Sequence, residues 1–155
     1  DVYKRQSLYR SRHELVFVFK HGAASHVNNV QLGKNGRYRT NVWEYAGSNS
    51  FGADRADRLA WHPTVKPAAM LHDAILDVTH PGDIVLDGFL GSGSTLIAAE
   101  RAGRICYGVE INPAYVDVTI TRWQHETGHE AILAGTDQTF EQVAADRGAR
   151  EEVAS

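Results

Sequence analysis

The sequence has few of the residues that cross-link or interrupt a chain. Its 155 residues contain one cysteine, one methionine and four prolines, and no two prolines are adjacent. A single cysteine excludes an internal disulfide framework, and the apolar surroundings of Cys106 predict a reduced, buried thiol. No apolar run approaches the roughly 20 residues of a membrane-spanning helix. We therefore expect one ordinary core, no membrane partner and a cytoplasmic location.

Charge is unevenly distributed along the chain. Residues 1–66 hold 11 Lys/Arg against 5 Asp/Glu, whereas residues 67–155 hold 5 against 14. Within 21–61 the basic residues alternate with aromatic, glycine and asparagine residues, a mixture that suits phosphate contact with base stacking. The alternative is a solvated loop. We predict a basic insert over 21–61 whose nucleic-acid contacts are Lys20, Lys34, Arg37 and Arg39.

The run from Ile84 to Thr95, I-V-L-D-G-F-L-G-S-G-S-T, predicts a buried strand, a loop with glycines two apart and a helix start. Without a Cβ, the glycines let backbone N–H groups approach a small molecule, and the helix N-terminus adds a positive dipole end. The loop lacks the third glycine of a dinucleotide fingerprint and the Gly-Lys-Ser/Thr of a P-loop. A pyrophosphate ligand is therefore disfavoured.

The next segments support a nucleoside ligand. A short helix is predicted from Ser94 to Ala102, and a second strand from Ile105 to Glu110. Glu110 stands 23 residues after Asp87, and an acid about 20 residues beyond a glycine-rich loop can accept hydrogen bonds from ribose hydroxyls. The alternative is a strand-end acid that pairs with a loop base.

Four segments carry a family resemblance. Residues 87–95, D-G-F-L-G-S-G-S-T, resemble the S-adenosylmethionine motif D-P-F-x-G-S-G-T-T of DNA amino-methyltransferases. Residues 62–67, H-P-T-V-K-P, resemble the box that precedes it in the circularly permuted, β-type members. Residues 107–115 are similar to the second-strand segment, and residues 12–14, R-H-E, resemble a fourth motif. The resemblance covers about residues 9–145.

This resemblance implies a Rossmann-like α/β fold with a doubly wound, mostly parallel sheet that is incomplete in this chain. It implies a methyl group transferred from S-adenosylmethionine to adenine N6, which is favoured, or to cytosine N4, in double-stranded DNA, within a restriction-modification system or as an orphan enzyme. The implied cofactor-binding residues are Thr64, Lys66, Asp87, Phe89, Gly91, Ser92, Gly93, Thr95, Glu110, Ile111 and Asn112.

The sequence departs from the family in one large respect. Members carry an Asp/Asn/Ser-Pro-Pro-Tyr/Phe box that holds the target amine and stacks the flipped base, and no adjacent prolines occur here. We therefore expect the C-terminal part of a longer enzyme, inactive alone and marginally stable or prone to aggregate. Residues 1–6 resemble a translated sequencing-library adapter. Smaller departures are Gly88 for proline and Ser94 for threonine.

Periodicity and capping signals divide the rest of the chain. A strand is predicted at Glu14–Lys20, within residues 7–20, and a sheet-packing helix at Pro67–Thr79. Another helix should run from Asn112-Pro113 to Gly128 and close a cofactor-binding core over 62–130. A capping box at residues 139–142 predicts a short helix in the tail, 131–155.

Two alternatives remain open, and a third pattern is disfavoured. The chain could be a complete non-catalytic nucleotide- or DNA-binding module, or a methyltransferase for RNA or protein on the same fold. His125-Glu126-Thr127-Gly128-His129 matches a zinc-protease pattern. Because Gly128 should end the helix, His129 would fall beyond it, so no metal site is predicted.

Overall fold

The structure is a computed structural model that describes residues 13–34, 38–45 and 66–154. Four helices and two strands occur in the part described. They are α1 (Ala68–Val78), β1 (Ile84–Asp87), α2 (Ser94–Arg101), β2 (Ile105–Gly108), α3 (Pro113–Thr127) and α4 (Phe140–Ala154). Within these residues no helix combines the length and apolar character that crossing a bilayer requires.

The two strands form a parallel sheet joined by α2. Ile84 pairs with Ile105, and the register continues to Asp87 opposite Gly108. Parallel strands require a crossover connection, and α2 supplies it, so the segment from β1 to β2 is one βαβ unit. This unit confirms the predicted Rossmann-like α/β class in part form.

The core lies between α1, α2 and one face of the sheet. Ile75 of α1 packs with Ala98 and Ala99 of α2, and Val85 and Cys106 reach this cluster from the strands. Cys106 is half-buried rather than fully buried. Burial, with a smaller contribution from the Asp87 carboxylate, raises the pKa of its thiol, which keeps the thiol protonated.

The opposite face of the sheet carries no helix from the described residues. Ile84 and Leu86 of β1 and Ile105 and Tyr107 of β2 are 50–74% exposed there. A doubly wound sheet has helices on both faces. The double winding that the resemblance implied is therefore absent from the described residues, because α1 and α2 pack on the same face and α3 packs against α2.

Capping explains where the helices begin and end. The sequence predicted Pro67 as the first helical residue of α1, whereas Pro67 is the N-cap and the helix begins one residue later, at Ala68. The Asn112 side chain accepts a hydrogen bond from Ala114 N–H at the start of α3. That helix ends at Gly128, whose φ of 72° is left-handed. His129 therefore lies beyond α3, as predicted.

The capping box of α4 is formed as predicted. Thr139 N–H donates to Gln142 Oε1 at 2.8 Å, and Gln142 N–H donates to Thr139 Oγ1 at 3.3 Å. The helix itself is longer than predicted, with 15 residues. Alanine, arginine and glutamate dominate its second half and favour helix, so the charged tail continues the helix rather than fraying.

The predicted strand Glu14–Lys20 is not formed. Residues 13–21 adopt neither helix nor strand, and the five apolar side chains from Leu15 to Phe19 are 68–88% exposed. A strand is stabilised by hydrogen bonds to a neighbouring strand. No strand in the described ranges pairs with this segment. Its residue types favour a strand, but the hydrogen bonds that would stabilise one are not formed there.

Candidate functional site

The glycine loop leaves β1 at Asp87 and turns sharply into α2. Asp87 Oδ1 accepts a hydrogen bond from Phe89 N–H at 2.9 Å, which closes the first turn of the loop. Gly91 and Gly93 have φ values of 56° and 83°, in the left-handed region that favours glycine. Gly93 is also the N-cap of α2, so the loop delivers the chain directly to a helix N-terminus.

Contacts with α3 hold the glycine loop in place. A Cβ on Gly93 would lie 2.7 Å from Cγ2 of Thr119, whose hydroxyl donates to Gly91 O at 2.9 Å. Arg122 donates from Nη1 to Ser92 O and, at 3.1 Å, to Ser92 Oγ. Thr119 and Ser92 are both buried. These contacts fix the loop backbone on α3.

Ser92, which is predicted to bind the cofactor, is buried, and its hydroxyl accepts a hydrogen bond from Arg122 Nη1. Its part in cofactor binding stays a prediction. Thr95 is half-buried in the first turn of α2. The loop groups that remain for a ligand are chiefly backbone atoms and the residues on either side.

Glu110 joins the two loops that follow the strands. Its Oε2 accepts Gly91 N–H at 2.8 Å, and its Oε1 accepts Asn112 N–H at 2.8 Å. The carboxylate is half-buried. The second-strand acid and the glycine loop, 19 residues apart in the chain, therefore meet at the carboxyl end of the parallel strands, where α/β sheets bind ligands.

Two apolar side chains in the loops that follow the two strands are exposed to solvent. Phe89 is 95% exposed and Ile111 is 96% exposed. A large apolar side chain left almost fully in water loses the hydrophobic stabilisation that burial would provide. Phe89 follows β1 in the glycine loop, and Ile111 follows β2 next to Glu110. Because the two strands are parallel, both residues lie at the same end of the sheet.

Comparison with known proteins identifies the family. A family model described as DNA methylase, of the N6/N4 methyltransferase type, matches residues 3–121. The chain belongs to the N6/N4 DNA methylase family. The type II methyltransferase M.Cfr9I of Citrobacter freundii is 39% identical over 85 residues, covering 48% of this chain and 28% of that protein. M.ScaI of Streptomyces caespitosus is 37% identical over 97 residues, covering 61% and 30%.

Solved structures of DNA methyltransferases also match this chain. The PvuII DNA methyltransferase, described as cytosine-N4-specific, gives a TM-score of 0.47 at 31% identity, covering 55% of this chain and 32% of that one. An M1.HpyAVI–SAM complex gives 0.39 at 37% identity, covering 40% and 32%. The chain spans less than two-fifths of the length of the curated relatives it matches.

The methylase box at 62–67 is described only at its end. Thr64 lies outside the described residues, whereas the Lys66 ammonium contacts the Glu14 carboxylate. Both side chains are exposed. The structure thus brings together two of the predicted methylase segments, the one at 12–14 and the one at 62–67, through an ion pair that the sequence did not predict.

The predicted DNA contacts have different surroundings. Lys20 and Lys34 are exposed, and Arg37 lies outside the described residues. Arg39 is instead half-buried in an ion pair with Asp77, at 2.9 Å between Nη1 and Oδ1. The DNA contact of Arg39 stays a prediction, and in this structure Arg39 pairs with a carboxylate of α1.

Thr119 and Arg122 are the residues of this methylase that the sequence reasoning missed. Val116, Ile120 and Trp123 recur at helical spacing along α3, a pattern that indicates its packed side, and all three are half-buried. Thr119 lies one helical turn from Val116 and Trp123 and is more buried than either. A small polar residue inside an apolar stripe was the available signal that α3 approaches a glycine backbone.

Proposed function

We propose that the chain carries the cofactor-binding portion of an S-adenosylmethionine-dependent DNA methyltransferase that acts on an exocyclic amine, with adenine N6 favoured over cytosine N4. The observation that carries the proposal is the Glu110 carboxylate bonded to Gly91 N–H and Asn112 N–H. This arrangement supports a nucleoside site, since it places a carboxylate beside the glycine loop at the carboxyl end of the parallel strands, where α/β sheets bind ligands.

Each group in the proposed site has a distinct task. Glu110 accepts hydrogen bonds from the ribose hydroxyls. Phe89 and Ile111 cover the faces of the adenine ring, which removes their exposed side chains from water. Gly91 and Gly93 allow close backbone approach, with Asp87 and Asn112 holding the two loop turns through their side-chain acceptors. Ser92 and Thr95 complete the loop wall. Thr64 and Lys66 bind the methionine carboxylate, for which Lys66 must exchange its Glu14 partner.

S-adenosylmethionine supplies the methyl group for transfer when bound. The residues named here bind and orient the cofactor; they do not activate the target amine. That amine needs acceptors and an aromatic stacking partner, and the sequence contains no adjacent prolines of the expected box. We expect the 155-residue chain to bind cofactor and DNA without methylating it, which transfer of labelled methyl groups to duplex DNA would test.

Replacement of Glu110 tests the site. Glu110→Ala removes the charge-assisted hydrogen bonds to ribose, so S-adenosylmethionine binding by the 155-residue chain should weaken by about 1–3 kcal/mol. Isothermal titration calorimetry measures the change. Glu130→Ala is the matched control, because Glu130 is an exposed glutamate beyond α3. Equal affinities in the wild type and Glu110→Ala would remove Glu110 from the site.

A non-catalytic nucleotide- or DNA-binding module is the second candidate. The absence of adjacent prolines from the sequence favours it. The two candidates separate when the chain is combined with a purified segment that carries a Pro-Pro-Tyr/Phe box from a related methylase. Methyl transfer in the mixture supports the enzyme, whereas binding without transfer supports the module.

A further inference from the structure

Residues 28–34 and 38–45 are attached to the C-terminal half of α1. Asn29 N–H donates to Asp77 O at 2.9 Å, and Asn29 Nδ2 donates to Leu76 O and Thr79 O at 2.8 and 2.7 Å. The last carbonyls of a helix have no partner within the helix. Asn29 satisfies three carbonyls at this end, so one residue of the predicted basic insert caps α1 from outside.

Arg39 makes a second attachment to the same helix. Its Nη1 lies 2.9 Å from Asp77 Oδ1, and its Nη2 lies 3.6 Å from Asp73 Oδ2. The guanidinium carbon stands 4.3 Å from the centre of the Trp43 ring, in a cation–π contact. The Tyr45 hydroxyl donates a hydrogen bond to the Asp73 carboxylate. We call Arg39, Trp43, Tyr45, Asp73 and Asp77 the docking cluster.

The charges of the docking cluster explain why Arg39 is held there. Asp73 and Asp77 are four residues apart on α1, so they face the same side and repel each other. One guanidinium that spans both carboxylates relieves this repulsion. Burial raises the pKa of Asp77 although Arg39 opposes the shift, which shows that this carboxylate is partly removed from water.

The position of α1 gives the cluster a wider consequence. Ile75, between the two aspartates in sequence, packs on Ala98 and Ala99 of α2. The N-cap of α2 is Gly93 of the glycine loop. The basic segment is therefore connected to the glycine loop through two packed helices.

We infer that Arg39 is a positioning residue of the DNA-reading segment rather than a phosphate contact: the docking cluster holds residues 28–34 and 38–45 on α1, in fixed relation to the cofactor loop, and leaves phosphate contact to exposed cations such as Lys34. The DNA-reading part of this inference rests on the proposed function. An arginine that moved to a phosphate would have to leave both carboxylates and the Trp43 ring.

Salt-dependent duplex DNA binding by the 155-residue chain distinguishes the two roles. Arg39→Gln and Asp77→Ala should both weaken binding, by about three- to tenfold, with no change in the slope of log affinity against log salt. Lys34→Gln should lower that slope by about one unit. Asp117→Ala is the control, since it removes the same negative charge from an exposed position on α3. It should not weaken binding.

The inference is overturned if Asp77→Ala tightens DNA binding, as the loss of a repelling charge beside a phosphate contact would. It is also overturned if Arg39→Gln lowers the salt slope by about one unit.

Amide hydrogen exchange without DNA separates this inference from the proposed function. Arg39→Gln and Asp77→Ala should both speed exchange in residues 28–34 and 38–45, whereas Lys34→Gln and Asp117→Ala should not. Unchanged exchange in the first two variants overturns the docking role. If the wild-type chain bound no DNA, the DNA-binding part of the proposed function would fail, and exchange would still decide whether the cluster holds the segment.

Discussion

Gly93 occupies a position where only a hydrogen atom fits. Its φ of 83° is left-handed, and a Cβ there would lie 2.7 Å from Thr119 Cγ2. Gly103, after α2, has a φ of 69° but nothing within 4 Å of its would-be Cβ. The two glycines therefore share the conformational requirement and differ in the space around them.

This difference predicts unequal costs for alanine. Each substitution should lower the free energy of unfolding by about 1 kcal/mol, because alanine is strained in the left-handed conformation. Gly93→Ala should lower it by about 1–3 kcal/mol more, because the added Cβ collides with Thr119. Urea unfolding followed by circular dichroism measures both. Adding Thr119→Ala to Gly93→Ala should recover part of the loss, because it removes the atoms that collide. Equal midpoints for the two single variants would contradict the crowding.

At the scale of secondary-structure elements, α2 and α3 are joined by side-chain pairs that bear on the loop. Arg101 Nε donates to Glu126 Oε1 at 2.6 Å, and Trp123 Nε1 donates to Glu100 Oε2 at 3.1 Å. Thr119 and Arg122, which hold the glycine loop, lie on the same helix as Glu126 and Trp123. The pairing of α2 with α3 therefore also keeps the loop supports in position.

The Arg101–Glu126 pair predicts a pH dependence. The hydrogen bond from Arg101 holds the pKa of Glu126 below its ordinary value of 4.5. The pair therefore stabilises the fold fully above about pH 4.5, and this contribution is lost as pH falls through the lower folded pKa. Because both side chains are partly exposed, it should be below about 1 kcal/mol.

Glu126→Gln tests this dependence. The stability difference between wild type and Glu126→Gln should be present at pH 7 and shrink towards pH 3, measured by urea unfolding at each pH. Glu130→Gln, at an exposed position, should show no such trend. A stability advantage of the wild type over Glu126→Gln that grew as the pH fell would contradict a stabilising ion pair between Arg101 and Glu126.

At the scale of the whole molecule, the described residues leave one face of the sheet uncovered. Leu86 is 74% exposed on this face, whereas Ile75 on the opposite side is 8% exposed. Exposed contiguous apolar surface favours self-association. The apolar segment Leu15–Phe19 adds to this surface. The sequence-based expectation of marginal stability and aggregation thus has an identifiable physical source.

Two substitutions distinguish covered from uncovered apolar positions. Ile75→Ala should lower the free energy of unfolding by about 2–5 kcal/mol because it opens a cavity in the core. Leu86→Thr should leave stability within about 0.5 kcal/mol and reduce light scattering on concentration. A sharp two-state melt of monomeric wild type, with no self-association, would contradict the expected behaviour of this face.

The local signals in the sequence predicted the elements around the site well. Asn112 followed by Pro113 marked the start of α3, Gly128 marked its end, and the residues of the capping box marked α4. The spacing of Asp87 and Glu110 likewise placed an acid at the end of each of two neighbouring strands. The capping signals succeed because the interactions behind them join residues within a few positions of one another.

The sequence by itself determined the family resemblance, the βαβ unit and the position of Glu110 after the second strand. Only the tertiary structure decided that Arg39 binds α1, 38 residues away, and that Ser92 faces Arg122, 30 residues away. It also decided that Glu14–Lys20 forms no strand. In each case the outcome depends on a partner distant in the chain, and neither periodicity nor residue type specifies which distant group folding brings into contact.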